Sequence, residues 1–208
     1  MYLKKLNEKN SIIYLIGIAI LILLIPHLTR FFLYENALMG FESYYDLRIS
    51  KTIANQGIPK YDTFSYGESE YIFNPHHYVI ASLSPIINIE ILLRLLPFVL
   101  GVLSLLLFYY ILKKIGLELK ARFLTGLIFI LSPIFIYFFT LPNQHALPFF
   151  LNLLGFYFFI SMRPYFLISM ISFMLLPLFG LSHAIVGFLI IASYSLSDKK
   201  MMSKFTIL

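Results

Sequence analysis

Two carboxylates stand four residues apart in an aromatic stretch of this sequence, Glu42 and Asp46. On a helix that spacing puts both on one face, where they repel each other unless a proton, a cation or a base lies nearby. Such a pair can hold or take a proton in general acid–base catalysis. The alternative is a solvated acidic face balanced by Arg48 and Lys51. The spacing alone leaves both interpretations open.

Histidines supply a second set of side chains able to do chemistry. His76 and His77 are adjacent, and such a pair could bind a metal ion or a phosphate, or could form a simple polar cap at an interface. The other histidines, His27, His145 and His183, fall near the ends of apolar runs. This placement suggests that polar side chains converge at one end of several helices, the expected form of a site at a membrane surface.

Glu90 and Arg94 form a third candidate pair, again four residues apart. One interpretation is a mutual ion pair that lowers the cost of burying both charges. The other is that the Arg94 guanidinium binds an anionic lipid phosphate, which its forked geometry suits.

The composition of the chain sets the class of protein that must position these residues. Of its 208 residues, 60% are hydrophobic and only 12% are charged, and the mean hydropathy is +0.85. Soluble domains carry about twice that charged fraction, so the composition excludes a soluble globular enzyme. The chain has no cysteine, which excludes disulfides and thiolate chemistry.

The apolar runs predict an all-α polytopic membrane bundle that forms a single membrane domain over residues 1–208. A helix needs about 20 apolar residues to cross the hydrocarbon core. The predicted spans are residues 11–33, 86–112, 123–140, 146–162, 164–179 and 181–196. The first is expected to be a retained anchor, because no small-residue cleavage site follows it. Ser132-Pro133 and Pro177 are expected to kink their helices.

Basic residues predict the orientation of this bundle in a cell membrane. Six spans with both termini in the cytoplasm place most of the 16 lysines and arginines in cytoplasmic segments. These residues are Lys4, Lys5, Lys9, Lys113, Lys114, Lys120, Arg122, Arg163, Lys199, Lys200 and Lys204. The net charge of +6 therefore reflects topology, and no nucleic-acid partner is expected.

The long connection at 34–85 is the predicted first extracytoplasmic loop. Its first part predicts a helix over Phe41–Gln56, which Gly57 and then Pro59 should end. An extended segment and a turn around Gly67 should follow, and a helix should open at His76 and His77. The loop is rich in tyrosine, which argues against disorder and for a functional role.

Two stretches of this loop resemble a known family. They read Gly40-Phe41-Glu42-Ser43-Tyr44-Tyr45-Asp46-Leu47-Arg48-Ile49 and Gly57-Ile58-Pro59-Lys60-Tyr61-Asp62-Thr63-Phe64-Ser65-Tyr66-Gly67. Together they resemble the first outer loop of GT-C membrane glycosyltransferases, of the archaeal and oligosaccharyltransferase catalytic-subunit type. The resemblance covers about 30 residues and implies sugar transfer from a polyprenyl-phosphate donor. It implies that Glu42 is the catalytic base or a metal ligand.

The sequence departs from the family pattern in ways that bear on cofactors and completeness. Asp46 stands where the family often has histidine. The turn between the third and fourth predicted spans carries the amides Asn143 and Gln144 where relatives carry carboxylates, so a divalent cation would lack its second acidic ligand. Family members usually have more spans, so the chain is expected to be a truncated or split member with a C-terminal half or partner subunit in the membrane.

The sequence therefore favours an inverting lipid-linked sugar transferase with Glu42, helped by Asp46, as base. The substrate-binding candidates are Arg48, Tyr44, Tyr45, Asp62, Tyr66, His76, His77, Arg94, His145 and His183. Tyrosines would stack on sugars, and the histidines and Arg94 would stabilise the leaving phosphate. The alternative is a non-catalytic membrane protein whose loop is a docking surface. A transporter is disfavoured, because the spans are almost free of charge at mid-depth.

Overall fold

The computed structural model describes residues 7–33, 38, 40–62, 69–161 and 165–197. The chain folds as a helical bundle, as its composition predicts. The helices are α1 (Glu8–Leu33), α2 (Phe41–Gln56), α3 (Pro75–Leu83), α4 (Ile89–Lys114), α5 (Leu119–Leu131), α6 (Pro133–Thr140), α7 (Ala146–Ser161), α8 (Phe166–Leu175) and α9 (Leu181–Ser197). A 3-10 helix, Leu176–Phe179, continues α8, and two short strands, β1 (Tyr61–Asp62) and β2 (Ser69–Glu70), pair antiparallel.

Two of the described helices are long and apolar enough to cross a bilayer. They are Glu8–Arg30 within α1 and the 26-residue α4. The bent pair α5–α6 makes a third if it counts as one span. The remaining apolar helices α7, α8 and α9 are shorter, so the structure supports two or three crossings by helix length and leaves the predicted six as a proposal.

The bend within the third predicted span comes from its sequence. The axes of α5 and α6 meet at 59°. Pro133 occupies the first turn of α6, and Ser132 caps that helix by accepting a hydrogen bond from the Phe135 amide at 3.2 Å. The predicted kink at Ser132-Pro133 is thus confirmed. Pro177 lies in the 3-10 helix that continues α8, and the kink expected at this residue stays a prediction.

The main apolar core joins α1, α4, α5, α6 and the start of α7. Its fully buried members include Leu15, Leu23, Leu105, Ile130 and Phe135. Gly101 of α4 allows α6 to approach closely, since a β-carbon there would lie 2.8 Å from Phe139 Cβ. The bundle is therefore held by ordinary close packing between helices.

The predicted loop helix has the bounds that its glycines indicate. α2 runs over Phe41–Gln56, and Gly40 and Gly57 flank it with φ of 86° at each position. A positive φ of this size favours glycine strongly, so the two glycines fix where the helix begins and ends. The predicted extended segment appears as β1, whereas Gly67 lies outside the described residues. α3 opens at Pro75 but ends at Leu83, before α4 begins.

The long helices run between two ends of different chemistry. At the first, which we call the basic end, Glu8 of α1 pairs with Lys113 of α4 at 2.6 Å and with Arg122 of α5 at 3.3 Å. The second, the histidine end, comprises α2, α3, the last turn of α1, the α6–α7 turn and the start of α9. There Lys51 of α2 pairs with Glu90 at the opposite end of α4 at 2.8 Å.

Candidate functional site at the histidine end

Helix α2 is fixed against the end of the bundle by polar contacts. The hydroxyl of Ser43 donates a hydrogen bond to the Pro142 carbonyl in the α6–α7 turn at 2.8 Å, and this contact is buried. Lys51 ties the same helix to Glu90 of α4. The helix that carries both candidate carboxylates is therefore held at two points along its length.

Asp46 points into this junction and is only 3% exposed. Its Oδ1 lies 2.9 Å from Nε2 of His77 on α3. Because an ionised carboxylate only accepts, Nε2 carries the proton and donates to Asp46. The solvated-face interpretation of the carboxylate pair is therefore wrong for Asp46.

The other nitrogen of the His77 ring extends the connection outward. Nδ1 lies 2.8 Å from the hydroxyl of Tyr71, which is only partly buried. With Nε2 protonated, Nδ1 accepts from that hydroxyl. Burial raises the pKa of Tyr71, so it remains a neutral donor at physiological pH. Tyr71, His77 and Asp46 thus form a continuous hydrogen-bonded chain from a partly exposed position to a buried carboxylate.

His76 is the most unusual member of the cluster. It is 1% exposed, and neither ring nitrogen has a hydrogen-bond partner among the described residues. Its Nε2 lies 3.7 Å from Asp46 Oδ2. This oxygen is also buried, and none of the described residues donates a hydrogen bond to it. Burial lowers the pKa of His76 to about 4, more than the neighbouring Asp46 charge raises it. His76 is therefore neutral at physiological pH.

Local capping explains why both histidines lie inside. The Asn74 side chain accepts a hydrogen bond from the His76 amide at 2.9 Å, and Pro75 follows in the first turn of α3. The Asn74 amide also donates to the Gln144 side chain in the α6–α7 turn. This turn contact sets the start of α3 against the bundle, so the first residues of the helix face the interior.

The α6–α7 turn contributes a second histidine pair. His145 Nδ1 lies 3.2 Å from Nε2 of His183, at the start of α9. Asn143 begins α7 by accepting from the amides of His145 and Ala146 at 2.9 and 3.2 Å. A positive charge on His145 also lowers the pKa of His76, so the two histidine pairs belong to one region.

Arg48 and Asp62 make an ion pair on the outer side of α2. Arg48 Nη2 lies 2.7 Å from Asp62 Oδ1, and the Arg48 guanidinium stacks over Tyr45 at 5.3 Å from its ring centre. Burial raises the pKa of Tyr45, and the Asp62 charge raises it further. This pair joins β1 to α2, and the Tyr45 ring under Arg48 contacts the His77 ring edge-on at 5.7 Å.

The structure separates the remaining candidates from this cluster. Glu42 is exposed in the first turn of α2, and Tyr44 is exposed near it. Tyr66 lies outside the described residues. Arg94 lines a groove between α1 and α4, and His27 is the only histidine among the described lining residues of that groove.

The sequence missed one partner of Glu90, which carries an ion pair with Lys51 of α2 at 2.8 Å, and the two interpretations of the Glu90–Arg94 spacing stay open. The reason is tertiary. α2 packs against the start of α4 and brings an oppositely charged side chain within reach of Glu90.

Ser43, Asn74 and Asn143 were not among the predicted site residues, and Tyr71 was expected only as one of the tyrosines that would stack on sugars. The Asn74-Pro75 and Pro142-Asn143 pairs are turn signals that could have indicated the caps. Nothing in the sequence around Tyr71 indicates its bond to His77, since that contact depends on how the loop folds back.

The site can exchange and hold protons, and it offers imidazole N–H groups to an anion. Among the described residues no group of three or more histidine or acidic side chains is arranged to hold a metal ion. No protein-family model, curated protein or solved structure matches the chain significantly.

Proposed function

We propose that the chain is a GT-C-like transferase that moves a sugar from a polyprenyl-phosphate donor to an acceptor at the extracytoplasmic face of the membrane. The observation that supports this most is the difference in environment between the two carboxylates of α2. Asp46 is buried in a hydrogen-bonded cluster, whereas Glu42, one turn earlier, is exposed and has no partner among the described residues.

Glu42 is then the catalytic base. The acceptor hydroxyl attacks the anomeric carbon of the donor sugar, its proton passes to the Glu42 carboxylate, and the bond from that carbon to the phosphate oxygen breaks. The polyprenyl phosphate leaves with the bonding electrons, and the configuration at the sugar inverts. A base of this kind typically contributes about 10²–10⁴-fold to the rate.

Asp46 is a positioning residue in this proposal. It holds α3 to α2 through His77 and so fixes the turn of α2 from which Glu42 projects. Ser43 fixes the same turn to the α6–α7 connection. Positioning matters because small displacements of a catalytic group cost large factors in rate.

The histidines of the α6–α7 turn and α9 serve the leaving phosphate. His145 and His183 lie in contact at the end of the bundle to which α2 is fixed. An imidazole N–H aimed at a developing phosphate charge stabilises it most where water is excluded.

The orientation of the bundle belongs to the same proposal. Six passes with both termini in the cytoplasm put the histidine end outside and the basic end inside. Ion pairs at the basic end join the start of α1, the end of α4 and the start of α5. They support this orientation, because they gather residues predicted to be cytoplasmic at one end of the bundle.

The test is sugar transfer from a labelled polyprenyl-phosphate sugar in membranes that contain the protein. Glu42→Gln should lower transfer at least about 100-fold. Glu70→Gln is the matched control, because Glu70 is an exposed acid of the same loop, and it should leave transfer unchanged. Unchanged transfer by Glu42→Gln would remove Glu42 from catalysis. Absence of transfer by the natural chain with every donor tried would favour the non-catalytic subunit.

A further inference from the structure

A lipid-facing groove between α1 and α4 contains a cation that the proposed reaction does not use. It is lined by Leu24, His27, Ile91, Arg94, Leu95 and Phe98, and encloses about 320 Å³. Leu24, Ile91 and Leu95 are exposed, so the groove opens sideways along the bundle. Neither Asp46 nor the two histidines beside it line the groove.

The groove has a polar level and an apolar level. Arg94 lies five residues after the start of α4, about 8 Å along its axis from the helix end. His27 follows Pro26 in the last two turns of α1, and its ring contacts Phe98 edge-on at 6.2 Å. Both basic side chains therefore lie just below the histidine end, and Leu24, Leu95 and Phe98 continue from them toward the middle of the two helices.

Polar atoms at this level are suited to an anion. The buried Nε2 of His27 has no hydrogen-bond partner among the described residues. Arg30, one turn beyond His27 on α1, adds a second guanidinium, which donates to the Thr140 carbonyl. A guanidinium binds a phosphate through two parallel hydrogen bonds, and an imidazole N–H can donate a third. The charge of this level is therefore complementary to a phosphate group.

We infer that the α1–α4 groove binds an anionic phospholipid of the surrounding bilayer, with its phosphate at Arg94 and His27 and one acyl chain along Leu24, Leu95 and Phe98. This site is separate from the sugar-transfer site and does not depend on it. The open side of the groove admits a lipid directly from the bilayer without passage through the cluster around Asp46.

Native mass spectrometry of the full chain in detergent tests this inference. The protein is titrated with phosphatidylglycerol, with phosphatidylcholine of the same acyl chains, and with a polyprenyl phosphate. The natural chain should retain phosphatidylglycerol at least about tenfold more tightly than phosphatidylcholine. Arg94→Gln should abolish that preference, and Lys113→Gln, at the basic end, should keep it.

A second variant separates loss of binding from loss of fold. Leu95→Trp fills the apolar part of the groove and leaves Arg94 in place, so it should weaken binding of both phospholipids. Arg94→Lys keeps the charge and should retain part of the preference.

Equal retention of the two phospholipids by the natural chain would overturn the inference, as would an undiminished preference in Arg94→Gln. Binding of the polyprenyl phosphate with no binding of phosphatidylglycerol would also overturn it and would assign the groove to the sugar donor. The lipid titration does not depend on sugar transfer. Unchanged transfer by Glu42→Gln would therefore contradict the proposed function and leave this inference standing.

Discussion

The acid–base pairs Glu8–Lys113 and Asp46–His77, at opposite ends of the bundle, differ in how deeply they are buried. At the basic end, the Glu8 and Lys113 side chains are 41% and 48% exposed and meet directly at 2.6 Å. At the histidine end, Asp46 and two histidines are almost fully buried, and several of their polar atoms have no partner among the described residues. Exposed ion pairs contribute little to stability, whereas a buried and partly unsatisfied cluster is costly. The contrast supports the proposal that the basic end faces the cytoplasm and that the histidine end holds the functional site.

The largest expected difference between the ends is in their response to acid. The pKa of His76 is lowered to about 4 by burial, against an ordinary value of 6.5, so the unfolded chain binds more protons between these values. Stability due to neutral His76 is present above pH 6.5 and is lost as pH falls toward 4, by up to about 3 kcal/mol. Unfolding in detergent, followed by far-ultraviolet circular dichroism against pH, should show this loss.

Two variants decide whether that acid response belongs to the histidine end. His76→Gln should flatten the stability curve over this pH window, and Glu8→Gln should leave it unchanged. An acid response that persists in His76→Gln would contradict the assignment.

Removal of the buried carboxylate should have the next largest effect. Asp46→Ala leaves the His77 N–H buried without an acceptor and should lower the free energy of unfolding by about 2–3 kcal/mol. Glu42→Ala removes an exposed carboxylate from the same helix and should change it by less than about 0.5 kcal/mol. Denaturant titration of the two variants side by side measures the difference. Equal effects would show that the buried Asp46 contributes no more to the free energy of unfolding than the exposed Glu42.

Tyr71→Phe isolates the outer link of the hydrogen-bonded chain. It removes the hydroxyl that donates to His77 Nδ1 and keeps the ring, so the expected loss of stability is about 1 kcal/mol. Tyr44→Phe is the control, because Tyr44 is exposed. A loss no greater than the control's would place Tyr71 outside the cluster in solution.

The smallest effect is expected at the basic end. Glu8→Gln breaks the pairs with Lys113 and Arg122. Solvent screens the exposed Glu8 and Lys113, and the 11% exposed Arg122 keeps its stacking on Tyr109, so the variant should lower the free energy of unfolding less than Tyr71→Phe does. The loss should shrink further at high salt. Denaturant titration at two salt concentrations measures this. A loss as large as that of Asp46→Ala would erase the contrast between the two ends.

Local signals in the sequence were sufficient to predict where several helices begin, end or bend. Gly40 and Gly57 predict the bounds of α2, and Ser132-Pro133 predicts the break between α5 and α6. These features depend on φ preferences and missing amide protons, which act over a few residues.

The partners of the charged side chains could not be predicted in the same way. Spacing pointed only to Arg94 as a partner for Glu90, whereas the structure gives Glu90 an ion pair with Lys51, which is 39 residues away. Asp46 likewise bonds His77 across 31 residues. Such pairs follow from how α2 and α3 lie over the bundle, and helical periodicity carries no information about that.

The proposed function requires that the histidine end and the basic end lie on opposite sides of the membrane. The chain has no cysteine, so single cysteines can be introduced without other changes. Ile58 near the histidine end and Ile115 at the basic end are 68% and 42% exposed. A membrane-impermeant maleimide should label Ile58→Cys in intact cells and Ile115→Cys only after the membrane is opened. Labelling of both positions from the same side would contradict the account.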